Sequence, residues 1–141
     1  MTQAQTSGFT YVVETAKPFQ EAVIAVRRAA EGRKWGVLGD YDFSEILTAK
    51  GFPQSEQVKS LDLCKPGHAN ALMSIERLTG LCMPCSVLVF TEGGKTKIAA
   101  MDPKAVMPQL FPEAAQKAQA QLEEISREIR EILDEAAGAG G

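Results

Sequence analysis

Residues 58–101 read VKSLDLCKPGHANALMSIERLTGLCMPCSVLVFTEGGKTKIAAM, and the order of elements in this stretch organises the rest of the chain. Over 58–64, Lys59, Leu61 and Leu63 alternate with Ser60, Asp62 and Cys64, the two-residue period of a strand. Pro66 fits a first helical position, where a missing N–H costs nothing. Ala69, Leu72, Met73, Glu76 and Leu78 then keep helical spacing up to Gly80, which suits a helix C-terminus. Residues 86–91 and 96–101 flank Glu92-Gly93-Gly94-Lys95, where adjacent glycines allow the positive φ angles of a tight hairpin turn. The stretch therefore predicts a strand, a helix and a two-stranded hairpin in succession.

On the N-terminal side, residues 9–15 are aromatic and β-branched and read as a strand. A helix opens at Pro18 with Phe19, Val23, Val26 and Ala30 at helical spacing and ends near Arg33. Residues 35–42 form a further strand whose two glycines suggest a bulge, and Ser44 caps a short helix to Ala49. On the C-terminal side, Asp102-Pro103 starts a short helical turn that Pro108 interrupts. Beyond Pro112 one long helix is expected, because Ala118, Leu122, Ile125, Ile129 and Ile132 make an apolar stripe that needs a partner surface. Its seven acids, Glu128 among them, interleave with three bases and read as a solvated outer face. Residues 1–8 are expected to be a disordered N-terminus, 9–135 a single domain, and 136–141 a disordered tail too poor in side chains to fold.

The chain has 141 residues, 45% of them hydrophobic, enough for one core without a disulfide or metal staple. Its net charge of -3 argues against nucleic acid or an anionic membrane as a partner, since both require a basic surface. No run approaches the length of a membrane span, and the N-terminus shows no signal or transit pattern, so a cytoplasmic location is expected. Three cysteines without a secretion signal read as free thiols, a metal site or redox chemistry rather than a disulfide framework.

The ordered landmarks KPFQEAV, WGVL, LDLCKP, GLCMPCSVLVF and MDP resemble the bacterial and archaeal family known as domain of unknown function 302. The family pattern falls on Cys64, Pro66, Pro84, Cys85, Val87, Val89, Asp102 and Pro103. The resemblance implies an α+β fold, with an antiparallel sheet packed against helices in a TATA-binding-protein-like arrangement, and commonly a homodimer. It implies no established activity. Where the family usually has Asn after each motif cysteine, this chain has Lys65 and Ser86. Where it usually has an apolar residue, this chain has Cys82, which creates the C-x-x-C of Cys82-Met83-Pro84-Cys85.

Three readings of the thiols follow. In the first, the domain is a ligand- or metal-binding module. Cys64, His68, Cys82 and Cys85 have donor types suited to tetrahedral zinc or iron, and His68 lies one helical turn beyond Cys64. Outside that role His68, a lone histidine in a first helical turn, is expected to face solvent. In the second, Cys64 is a thiolate favoured by the helix N-terminus and by neighbouring Lys65, and it works with Cys85 or Cys82 in redox or persulfide chemistry. In the third, the cysteines are inert and the domain is a structural one that pairs with a second copy through a sheet face or the C-terminal stripe. The single histidine leaves no hydrolase triad to assemble. Arg27, Arg28, Arg33 and Lys34 read as a solvated cluster, and Met73, Met101 and Met107 as core filling.

Overall fold

Alternating apolar residues in the strands gather on one face of a six-stranded sheet, and two helices cover that face. The computed structural model describes residues 4–138. The strands are β1 (Ala4–Ser7), β2 (Thr10–Thr15), β3 (Gly36–Asp42), β4 (Val58–Cys64), β5 (Cys85–Glu92) and β6 (Lys95–Met101). They lie in the order β1-β2-β6-β5-β4-β3 with every neighbouring pair antiparallel. The helices are α1 (Phe19–Gly32), α2 (Phe43–Ala49), α3 (Pro66–Ile75), α4 (Pro103–Leu110), α5 (Pro112–Lys117) and α6 (Gln119–Ala137). This is an α+β fold.

Cross-strand partners share a face, so Val13, Leu61, Leu63, Val87, Val89 and Ile98 form one buried layer. Above it lie Val23, Val26 and Ala30 of α1 and Ile125, Ile129 and Ile132 of α6, all in the same core. The α6 stripe thus finds its partner surface within its own chain, against α1 and the sheet. It is not left over for a second copy, which removes one of the two dimer surfaces expected from the sequence. The expected hairpin joins β5 to β6, with Gly93 at φ 60° and Gly94 at φ 81°.

Several expectations are corrected. Residues 4–7, expected to be disordered, pair with β2 through a two-residue turn in which Gly8 takes φ 61°. Such a turn favours glycine first, and the polar, low-complexity run before it concealed the strand. Residues 1–3 lie outside the described residues. At the other end, Ala136 and Ala137 are helical and buried rather than part of a loose tail, and Thr15 Oγ1 donates to the Ala137 carbonyl at 3.0 Å. Their small side chains suit close packing. The left-handed Gly138 then ends α6, and residues 139–141 lie outside the described residues.

The helix from Pro66 stops at Ile75 instead of running to Gly80. Glu76 is extended and its carboxylate accepts from Leu78 N at 2.9 Å, which caps a new 3-10 turn over Arg77–Cys82. The fully buried Thr79 anchors that turn by donating its hydroxyl to the Glu76 carbonyl at 2.7 Å. Helix α4 continues through Pro108, which sits in the last turn, and stops at Leu110. The long C-terminal helix is broken at Ala118, so that α5 packs on α3 and α4 while α6 packs on α1.

Candidate functional site

The register of β4 on β5 sets Leu63 opposite Cys85, so the end of one cysteine-bearing strand lies beside the start of the other. Cys64 is the last residue of β4, Lys65 turns the chain, and α3 begins at Pro66. Cys82 closes the 3-10 turn and Cys85 opens β5. The three cysteines, free and part-buried, therefore lie at one end of the sheet.

They line a mostly apolar cavity of about 120 Å³. Met83, Met101 and Met107 line the same cavity, which gives it six sulfur side chains. Trp35, Leu72, Val106 and Ile125 supply other walls, and Lys65, His68 and Ser86 are polar residues along it. Burial, reinforced by the neighbouring Cys64 and Cys82, pushes the Cys85 thiol up to about 11. At neutral pH Cys85 is a protonated thiol. The methionines are only partly core filling: Met107 is buried, but Met73 and Met101 are exposed.

Glu128 of α6, expected on a solvated face, is buried and forms the hub of the polar network beside the cavity. Its Oε1 accepts from Trp35 Nε1 at 2.8 Å and from Lys65 Nζ at 2.8 Å, and its Oε2 lies 3.1 Å from His68 Nε2. The other ring nitrogen of His68, Nδ1, lies 2.6 Å from Gln121 Nε2. A neutral imidazole with its proton on Nε2 satisfies both contacts, donating to Glu128 and accepting from Gln121. Burial alone raises the Glu128 carboxyl. The hydrogen bonds from Lys65, Trp35 and His68 outweigh it and hold the carboxyl below its usual range.

His68 is therefore buried and doubly hydrogen-bonded rather than solvent-facing. Its nitrogens are turned to Glu128 and Gln121. Among the described residues, the one cluster of three or more His, Cys or carboxylate donor atoms mutually within 4.8 Å is His68, Glu124 and Glu128. Cys64, His68, Cys82 and Cys85 share the cavity wall without forming such a cluster. In the basic group, Arg27 pairs with Asp40 and Arg33 with Glu135, so these side chains join surface ion pairs.

Sequence reasoning missed Trp35, Gln121 and Glu128 as parts of the site. The signal for Glu128 was slight: it follows Ile125 by three and precedes Ile129 by one, at the border of the apolar stripe. The lone tryptophan, whose indole N–H needs an acceptor when buried, was the better clue.

The family described as Domain of unknown function DUF302 matches residues 11–136. The chain belongs to the DUF302 family. A crystal structure of an uncharacterized conserved DUF302 protein from Bacillus stearothermophilus superposes with a TM-score of 0.84 at 24% identity, covering 92% of this chain and 99% of that one. At that identity the likeness concerns the DUF302 fold. No curated protein matches the chain. Among the described residues of this DUF302 domain, no helix is long and apolar enough to cross a membrane.

Proposed function

We propose that this domain is a binding module whose ligand enters the cavity at the end of β4 and β5. The observation that carries the reading is the cavity itself: about 120 Å³, mostly apolar, and walled by residues from the sheet, α3, α4 and α6. Binding sites are typically apolar concavities with a few placed polar groups, and here Lys65 and His68 are held in position by Glu128. Engineered apolar cavities of comparable size, about 150 Å³, bind benzene. Benzene is therefore a suitable probe. In protein labelled with 13C at the methionine methyls, benzene is expected to shift Met83, Met101 and Met107 saturably, and Ala69→Phe, which fills the wall, is expected to abolish the shifts. Unchanged methionine signals in the wild type would overturn the reading.

A second reading, thiol exchange or persulfide carriage, is favoured by the pairing of Leu63 with Cys85, which sets two thiol-bearing strand ends side by side. In that reading the Cys64 thiolate attacks the outer sulfur of a persulfide R–S–SH, forming Cys64–S–SH and releasing R–S⁻. Treatment with cysteine persulfide is expected to add one sulfur atom to the chain mass, reversibly by dithiothreitol and not in Cys64→Ser. No mass gain, or an equal gain in the variant, excludes it.

A further inference from the structure

The polar network beside the cavity draws its donors from two helices. Gln121, Glu124 and Glu128 are spaced by three and four along α6, so they fall on one face of that helix. Helix α3 packs against α6 and brings His68 from its first turn. One donor atom each from His68, Glu124 and Glu128 lies within 4.8 Å of the other two. His68 and Glu128 are buried, whereas Glu124 is exposed. The Glu124 carboxylate has no hydrogen bond or ion pair among the described residues, so nothing holds it away from the other two. Trp35 and Lys65 occupy Oε1 of Glu128, and its Oε2 is the oxygen turned to the imidazole. Two carboxylates against the single ammonium of Lys65 leave the group negative.

We infer that His68, Glu124 and Glu128 form a site for a divalent transition-metal ion, Zn(II). Metal–nitrogen and metal–oxygen bonds of about 2.1 Å, meeting at about 90–110°, set neighbouring ligand atoms about 3.0–3.4 Å apart. The 3.1 Å between His68 Nε2 and Glu128 Oε2 lies in that range. An ion on these two atoms therefore fits without moving either buried side chain, and Glu124 closes in from solvent as the third ligand. Imidazole suits zinc and carboxylates suit hard divalent ions, so a mixed set without sulfur selects against a soft monovalent cation. Zinc also imposes no geometry of its own, and three protein ligands leave its fourth position to water. Binding relocates one proton: Nε2 gives its hydrogen to solvent and Nδ1 takes one up, so the imidazole stays neutral. The Gln121 amide then turns over, and its oxygen accepts from Nδ1–H where its nitrogen had donated. The inference stands apart from the binding-module reading, because Glu124 and Glu128 are not on the cavity wall.

The test is a Zn(II) titration of the reduced, 15N-labelled full chain, in which His68 is the single histidine and Trp35 the single tryptophan. Zn(II) is expected to convert the His68 ring from the Nε2–H to the Nδ1–H tautomer in long-range 1H–15N spectra, saturating at one ion per chain. The indole N–H signal of Trp35, which reports on Glu128, should shift in step. Glu124→Gln alters an exposed side chain and keeps the fold, and its Zn(II) affinity is expected to fall at least about tenfold. Gln121→Ala should weaken binding by about 10–100-fold, the effect of removing a group that orients a ligand imidazole. A His68 ring unchanged at excess Zn(II) would overturn the inference, including when zinc binds elsewhere on the thiols. Equal affinity in Glu124→Gln would overturn it as well. The benzene shifts of the methionine methyls are read separately, so the metal site and the cavity reading can each fail alone.

Discussion

The indole N–H of Trp35 donates to the buried Glu128 carboxylate at 2.8 Å across 93 residues of chain, tying the start of β3 to the middle of α6. Lys65 and His68 meet the same carboxylate, so one acidic side chain joins three segments around the cavity.

Replacing this acid by its amide tests the hub. Glu128→Gln puts an amide NH2 where the carboxylate accepted hydrogen bonds and leaves Lys65 without a counter-charge. Breaking a buried pair in this way costs ~3 kcal/mol, to be read as a lower urea midpoint at unchanged slope. Because the folded carboxyl lies below its usual range, its stabilisation is fully present above the unfolded value of about 4.3 and is lost as pH falls through the folded value. The stability difference between wild type and Glu128→Gln should therefore shrink on acidification below that pH. A constant difference down to full acid unfolding would contradict the assignment.

Tyr11 supplies a second pH marker at the opposite extreme. Burial and donation of its hydroxyl to Asp134 at 2.7 Å raise the phenol to about 12. A group raised in the folded state stabilises fully below its unfolded value, near 10, and that stabilisation is lost as pH rises toward 12. Spectrophotometric titration of the folded protein should show a phenolate transition near pH 12 that disappears in Tyr11→Phe. The variant should also lose ~1 kcal/mol at neutral pH. An unaltered titration curve in the variant would assign the transition elsewhere.

Lys34 takes φ 66° between α1 and β3, a left-handed conformation that favours glycine. Here the chain leaves the helix, with Trp35 N donating to the Ala30 carbonyl at 2.9 Å. Lys34→Gly should stabilise the domain by ~0.5–1 kcal/mol, seen as a raised melting temperature. A lower melting temperature would mean that Lys34 makes a contribution larger than its backbone strain.

We propose the second sheet face as the surface through which this chain would pair with a second copy. Val12, Ala99, Leu88, Ser60 and Tyr41 lie in one cross-strand row on it, from β2 to β3, and Tyr41 at its end is exposed. Sedimentation at micromolar concentration is expected to give twice the chain mass, and Leu88→Arg, which places a charge in that row, should give the monomer. A monomeric wild type would end the proposal.

Local periodicity in the sequence determined most element positions. The alternation of β4, the glycine pair between β5 and β6, and the proline-opened α3 depend on neighbours within a few residues, and so were legible without tertiary contacts. The three thiols were also legible as a group, because all lie between residues 64 and 85. Tertiary structure decided the rest. β1 exists only because β2 offers it a free edge, α3 ends where Glu76 caps the next turn, and Ala136 and Ala137 are helical because the core accepts their small side chains. The same holds for the network beside the cavity. Burial of Glu128 depends on donors 93, 63 and 60 residues away, and a partner that distant leaves no local pattern in a sequence.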